Sequence, residues 1–433
     1  MQRATTRLPL GLLLTTGCQF PASGVGDPGL VPDAAGARDG AVLDAAGPPA
    51  PDATPCLGFA QSPIIFGSCD IPDPGGVAFE IPSNGTYVVD TDAGTVRKGN
   101  DPPLALPAAA FVAQTTPGLP EVFVIAGAGV TIKSGVSLTV TGTRALALVS
   151  TGDLAIGGFI RATPREVGGN VVPGPGAAPA LCATGNGAPG MPELNAYGEN
   201  AAGGGGGGGF GGPGGDGGPV WRPADDAGDV ASGGGAMAAA GLRGGCWGGD
   251  GDAALEGGAG GAPGGGVALI AVGTVSVNGG NAVVTTSGFG GQAADRMSPG
   301  GGGGGGGSGG SIWIVAAALQ VDGGALTASG GGGGEGDSAA GDQQPKDGED
   351  GKTESAAPAA GGDDTWGGDG GDGAGPTLDV PATPGLACTQ PDNDHDGCGG
   401  GGGGGGPGYI FVRADQVQTT GPYVVAPTLT RLD

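Results

Sequence analysis

Residues 311–330 read SIWIVAAALQVDGGALTASG. Three short runs of β-forming residues, 312–315, 318–321 and 325–328, are separated by sharp turns, the last of them carrying a Gly-Gly pair. Alternation along the runs directs Ile312, Ile314, Leu319 and Val321 to one side and their neighbours to the other. The same plan recurs in ALALVSTGDLAIGGFIRAT from Ala145, with runs at 145–149, 153–156 and 159–162. VALIAVGTVSVNGGNAVVTTS from Val267 and YIFVRADQVQTTGPYVVAP from Tyr409 are two more copies. Upstream, residues 122–141 repeat the three-run plan, and residues 77–98 read as a further copy.

Three strands in roughly 20 residues are what one coil of a parallel β-helix requires. A single coil buries nothing; coils stacked ~4.8 Å apart pair their backbones and enclose a narrow core of Val, Ile and Leu. The expected fold is therefore all-β, a right-handed parallel β-helix. The alternative is a β-sandwich, which needs strands that return as antiparallel hairpins.

Between the coils lie long glycine-rich insertions at about 163–266, 288–310 and 329–408, with unbroken glycine runs at 203–209, 300–307 and 399–406. Ordering eight glycines costs ~8–16 kcal/mol of backbone entropy. Two outcomes follow: the runs stay mobile, or they pack as extended polyproline-II-like strands hydrogen-bonded to one another. Trp221, Trp247 and Trp366 lie inside the insertions and could seed small satellite cores.

Composition sets limits on function. Of 433 residues, 108 are glycine and 37 proline, while 16 basic and 42 acidic side chains leave a net charge of −26. Such a chain repels DNA, RNA and anionic lipid head groups, so no nucleic-acid partner is expected. A single histidine, His395, and four lysines supply few parts for acid–base or nucleophilic chemistry.

The first 18 residues, MQRATTRLPLGLLLTTGC, join a basic start (Arg3, Arg7) to an apolar run, Leu8 to Leu14, too short to span a bilayer. They read as a signal peptide. Residues 19–55 hold seven prolines and five aspartates without apolar periodicity, the composition of a flexible tether. The remainder, 56–433, is the β-helix domain. The ending Gly17-Cys18 resembles the bacterial lipoprotein signal, although Thr15 stands where that family has Leu or Val. The resemblance implies lipidation at Cys18, a membrane partner through the lipid anchor and, with Gln19 next, the outer membrane. The other reading is an ordinary secretory signal, leaving the protein secreted or periplasmic.

Six further cysteines, Cys56, Cys69, Cys182, Cys246, Cys388 and Cys398, suit three disulfides in an exported chain, with sequence neighbours as the simplest pairing. Zinc is the rival, but no C-x₂-C pair occurs. Between Cys388 and Cys398, Asp392, Asp394 and Asp396 alternate ahead of Gly397, as in the first half of an EF-hand loop. They are the candidate calcium ligands. Gly403 occupies the twelfth position, where a bidentate acid belongs, so a solvated acidic hairpin is the competing reading. No cofactor is required; Ca²⁺ is the single candidate. Gly211–Asp216 and Gly367–Asp372 match the start of a calcium nonapeptide but lack its large apolar residue.

No catalytic residue is assigned. Gly306-Gly307-Ser308-Gly309-Gly310 fits G-x-S-x-G without the strand and helix of a nucleophile elbow. Gly351-Lys352-Thr353 ends like a P-loop but lacks its first glycine. Gly362-Asp363-Asp364 is similar to the paired acids of galacturonases, without their histidine and R-x-K element.

The Cys18 signal, the tether, TGTRALALVSTGDLAIGGFIRA (141–162), GGSGGSIWIVAAALQVDGGALTASGGGGG (306–334) and GGGGGGPGYIFVRA (401–414) together resemble the glycine-rich β-helical lipoproteins of myxobacteria-type bacteria. The resemblance implies a component of the cell-envelope exterior. The expected function is a structural or adhesive surface module touching extracellular polysaccharide or another cell. The alternative is a polysaccharide-cleaving enzyme on the same scaffold, which paired carboxylates could support.

Overall fold

The computed structural model describes residues 65–82, 84–194, 200–220, 229–238, 240–252, 256–295, 300–337, 344–363, 367–378, 380–388 and 398–432. In chain order the strands are β1 (Phe79–Ile81), β2 (Gly85–Asp90), β3 (Thr95–Lys98), β4 (Ala108–Val112), β5 (Val122–Gly127), β6 (Val130–Ile132), β7 (Val136–Thr141), β8 (Ala145–Ser150), β9 (Leu154–Ile156), β10 (Phe159–Arg161) and β11 (Arg165–Val167). They continue as β12 (Asn170–Val172), β13 (Pro192–Leu194), β14 (Asn200–Ala202), β15 (Gly266–Ala271), β16 (Thr274–Asn278), β17 (Val283–Thr285), β18 (Ser311–Asp322), β19 (Ala325–Thr327), β20 (Tyr409–Thr420), β21 (Val424–Ala426) and β22 (Thr430–Arg431). The fold is all-β; the one helical element among the described residues is a 3₁₀ turn at Pro179–Leu181. No helix there is long and apolar enough to cross a membrane.

The strands form three mostly parallel ladders. In the first, β5, β8, β15, β18 and β20 follow one another in parallel, and β4 closes one end antiparallel to β5. The second runs β1, β6, β9, β16 and the later halves of β18 and β20, all in parallel. The third runs β2, β7, β10, β17, β19 and β21, with β3 antiparallel on β2. The five expected segments from residue 122 onward thus each give one rung to every ladder, while the 77–98 segment gives none to the first. Two details differ from the sequence reading. Residues 95–98 are not a third run but the return strand of a hairpin, whose turn Asp90 fixes by accepting the Asp92 and Ala93 N–H groups. Runs one and two of the 311 segment fuse into the single twelve-residue strand β18.

The register stacks like on like. Ile81, Ile132, Ile156, Val277, Val321 and Thr419 are successive partners in the second ladder. Tyr87, Leu138, Ile160, Val284, Leu326 and Val425 do the same in the third. With Phe123, Leu146, Val267, Ile312 and Ile410 of the first ladder, most of these side chains make one continuous buried core. Ile312, Ile314, Leu319 and Val321 all lie in it, as alternation predicts. The intervening residues of the first ladder, Val124, Ala147, Ile270, Trp313 and Phe411 among them, form a second cluster with Ile65, Phe66 and Leu242. Both faces of these strands are therefore buried, which is why they read as unbroken apolar runs.

The glycine runs are ordered strands. Gly205 and Gly208 donate their N–H groups to Gly303 and Gly306 (2.9 and 2.8 Å), and Gly303 and Gly306 donate onward to Gly400 and Gly403 (2.9 and 2.8 Å). The three-residue step is that of a polyproline-II-type chain, whose backbone groups point outward in three directions. Residues 203–209 donate to 185–191, 215–218 and 303–306, and accept from Gly234, Gly249 and the 403–406 segment. The 203–209 strand thus sits among six others. Nothing but glycine tolerates that spacing: a Cβ on Gly207 would lie 1.9 Å from the Gly404 carbonyl oxygen. The array joins the ladders directly, since residues 301–310 lead into β18 and 399–408 into β20.

Candidate functional site

The array also shapes a cleft of about 520 Å³. Gly260, Gly261, Gly290, Gly291 and Gly348 line much of it. Its charged lining residues are Arg165, Glu166, Asp347 and Asp350. The β11–β12 hairpin supplies Arg165, Glu166 and Val171. That hairpin turns through Gly168 and Gly169 at φ +61° and +81°, the left-handed pair that a two-residue turn requires. Phe289 adds a half-buried ring.

Backbone donors fix the acids. Asp350 accepts the Gly290 N–H at 3.1 Å and Asp347 accepts the Ala293 N–H at 2.7 Å. Although Asp350 remains exposed overall, the cleft walls desolvate its carboxyl and raise its pKa above the ordinary aspartate value. The Gly290 N–H opposes that rise, while the Glu166 and Asp347 carboxylates reinforce it. The carboxylate oxygens accept hydrogen bonds, and backbone carbonyls and side-chain N–H groups of the lining add further partners. The cleft thus suits a ligand rich in hydroxyl groups.

A second cluster lies at the junction of array and ladders. Arg243, 3% exposed, stacks its guanidinium 4.6 Å over the Phe210 ring and donates to the Leu181 carbonyl at 3.1 Å. Tyr409 packs edge-on against Phe210 and donates to the Met237 carbonyl at 2.6 Å. Burial lowers the Arg243 pKa and raises that of Tyr409. The arrangement is a polar pin in a tight joint.

The sites read from sequence fall out as follows. Cys182 is bonded to Cys246 and Cys388 to Cys398. Cys69 is disulfide-bonded. Cys18, Cys56, His395 and the calcium candidates Asp392, Asp394 and Asp396 lie outside the described residues, as do Trp221, Trp366 and Asp364. No group of three His, Cys, Asp or Glu side chains suited to a metal occurs among the described residues. Ser308 of the G-x-S-x-G match is fully buried, its Oγ accepting the Cys246 N–H at 2.7 Å. Lys352 pairs with Glu349. Asp216 and Asp372, from the nonapeptide matches, accept the Gly233 and Gly361 N–H groups at 2.8 and 3.0 Å. The cleft residues and Arg243 carry no motif, and sequence reading missed them.

Comparison with protein-family models, with curated proteins and with solved structures returns no match.

Proposed function

We propose that this chain is a cell-envelope lipoprotein whose rigid body serves as a structural or adhesive surface module. The observation that carries the reading is the glycine array: long glycine runs, free of side chains, interlock through backbone hydrogen bonds. A mobile glycine linker would leave those groups to water. Glycine strands tied to one another in this way, in a chain charged at −26, suit a fixed contact surface in a hydrated matrix. The stacked register of the three ladders supports their closure into a right-handed parallel β-helix. Lipidation at Cys18 and outer-membrane anchorage rest on the signal-like first 18 residues, and calcium at Asp392, Asp394 and Asp396 rests on their spacing. Extracellular polysaccharide is the expected contact, because the cleft pairs hydroxyl-binding groups with the Phe289 ring.

One observation favours the enzyme reading: Asp350, with its raised pKa, lines the same cleft as the Glu166 carboxylate. Two carboxyl groups lining one cleft, one with its pKa raised, are the equipment of a glycoside hydrolase. Purified protein incubated with pectic, alginate and chitin-type polymers distinguishes the two. Binding without new reducing or unsaturated ends supports the adhesive module. New ends that disappear in Asp350→Asn and Glu166→Gln overturn it in favour of the enzyme.

A further inference from the structure

The cleft is short of hydrogen-bond donors. Each of its five lining glycines already commits its N–H inside the protein: Gly260 to Asp250, Gly261 to Gly305, Gly290 to Asp350, Gly291 to Gly332 and Gly348 to Gly291. What the lining offers a ligand is chiefly oxygen, from backbone carbonyls with two lone pairs each and from the carboxylates of Glu166, Asp347 and Asp350. Asp347 and Asp350 each give one oxygen to a backbone N–H, which leaves the other.

The charge is unbalanced in the same sense. Three acidic residues and one basic one, Arg165, line the cleft, and none of the four is in an ion pair with a described residue. Glu166 and Asp347 lie near enough to Asp350 for their charges to bear on it. Yet no three acids among the described residues converge closely enough to hold a metal ion. Carboxylates spread in this way suit a cation that is itself spread out, with positive groups set along a chain.

We propose that the cleft binds polysaccharide of the amine-bearing class, sugar polymers whose free amino groups stand as ammonium ions. The proposal rests on the polysaccharide contact argued above and narrows it. An ammonium group brings three donors and no acceptor, the complement of an acceptor-rich lining. Its hydrogen bond to a carboxylate is about twice as strong as a neutral one. The Phe289 ring adds to this, since an aromatic face attracts a cation that reaches it. Arg165 and Gln292 supply side-chain donors for the sugar oxygens. An acidic polymer would instead set carboxylate against carboxylate, in a chain charged at −26.

The test is calorimetric titration of the full chain with oligomers of glucosamine, N-acetylglucosamine and galacturonic acid, at a pH that keeps the free amines protonated. The glucosamine oligomer should bind about tenfold or more tighter than its N-acetylated counterpart, the worth of one charge-assisted hydrogen bond, and the advantage should shrink as salt rises. The galacturonate oligomer should bind most weakly. The variant Glu166→Gln/Asp347→Asn/Asp350→Asn separates the cleft from general attraction to an acidic body. It keeps oxygens for the Gly290 and Ala293 N–H groups, and it should abolish the preference. A cooperative melting transition shows that it folds; if it does not, the single Glu166→Gln on the exposed β11–β12 hairpin carries the same comparison. A preference that survives in the variant overturns the proposal, because the attraction is then not the cleft's. N-acetylated or galacturonate oligomers that bind as tightly as the amine also overturn it, while leaving the wider polysaccharide contact standing. Binding of none of the oligomers removes that contact and the proposal with it.

Discussion

The Cα of Gly207 packs so closely against the carbonyl of Gly404 that a Cβ would come within 1.9 Å of the oxygen, although 197 residues separate the two in sequence. Gly207 donates its N–H to a third strand, at Gly215, and accepts from a fourth, at Gly234. One residue therefore holds three distant segments together.

Its replacement gives a sharp contrast. Gly207→Ala forces backbone apart and should cost about 1–3 kcal/mol, the usual penalty for overpacking. Gly280 has nothing within 4 Å of its would-be Cβ and no left-handed φ. Gly280→Ala should therefore be neutral or stabilise by about 0.4–1 kcal/mol, through the unfolded state. Denaturant melts of the two variants check this.

Arg243 should behave as a buried cation held by a ring and a carbonyl rather than by a carboxylate. Arg243→Ala loses the Phe210 contact and strands the Leu181 carbonyl, at a cost of about 1–3 kcal/mol. Arg243→Met refills the volume without a desolvated charge and should cost less than the alanine variant. Equal losses in both would contradict this account of the pin.

Asp350 makes stability pH-dependent. Its folded pKa is raised, chiefly by desolvation, so the folded state binds its proton more tightly than the unfolded state. The contribution is fully present below the ordinary aspartate pKa and is lost as pH rises through the raised value. Asp350→Asn keeps an oxygen for the Gly290 N–H but cannot ionise. Melts across acidic to neutral pH should show the wild type losing stability relative to this variant over that window.

Much of the ladder system was legible in sequence, because strand alternation and Gly-Gly turns are local signals. Ile312, Ile314, Leu319 and Val321 announce their side by spacing alone. β4 was not legible: AAAFV carries little β-propensity, and its place depends on pairing with β5. The 95–98 run looked like any other run, and only its partner reveals the hairpin. The order in the glycine runs was equally hidden, since many of its hydrogen bonds join segments far apart in sequence, as Gly205 needs Gly303. The cleft was invisible for the same reason, its walls being assembled by the array.

The most direct test of the account is amide hydrogen exchange on the full chain, comparing Gly303, Gly306 and Gly309 with Ile312 to Val315 of β18. The interlocked array predicts that these glycine amides, bonded to Gly400, Gly403 and Gly406, are protected to a degree comparable with the strand they lead into. Exchange of the glycines at the rate of an unstructured chain, while β18 stays protected, would contradict it.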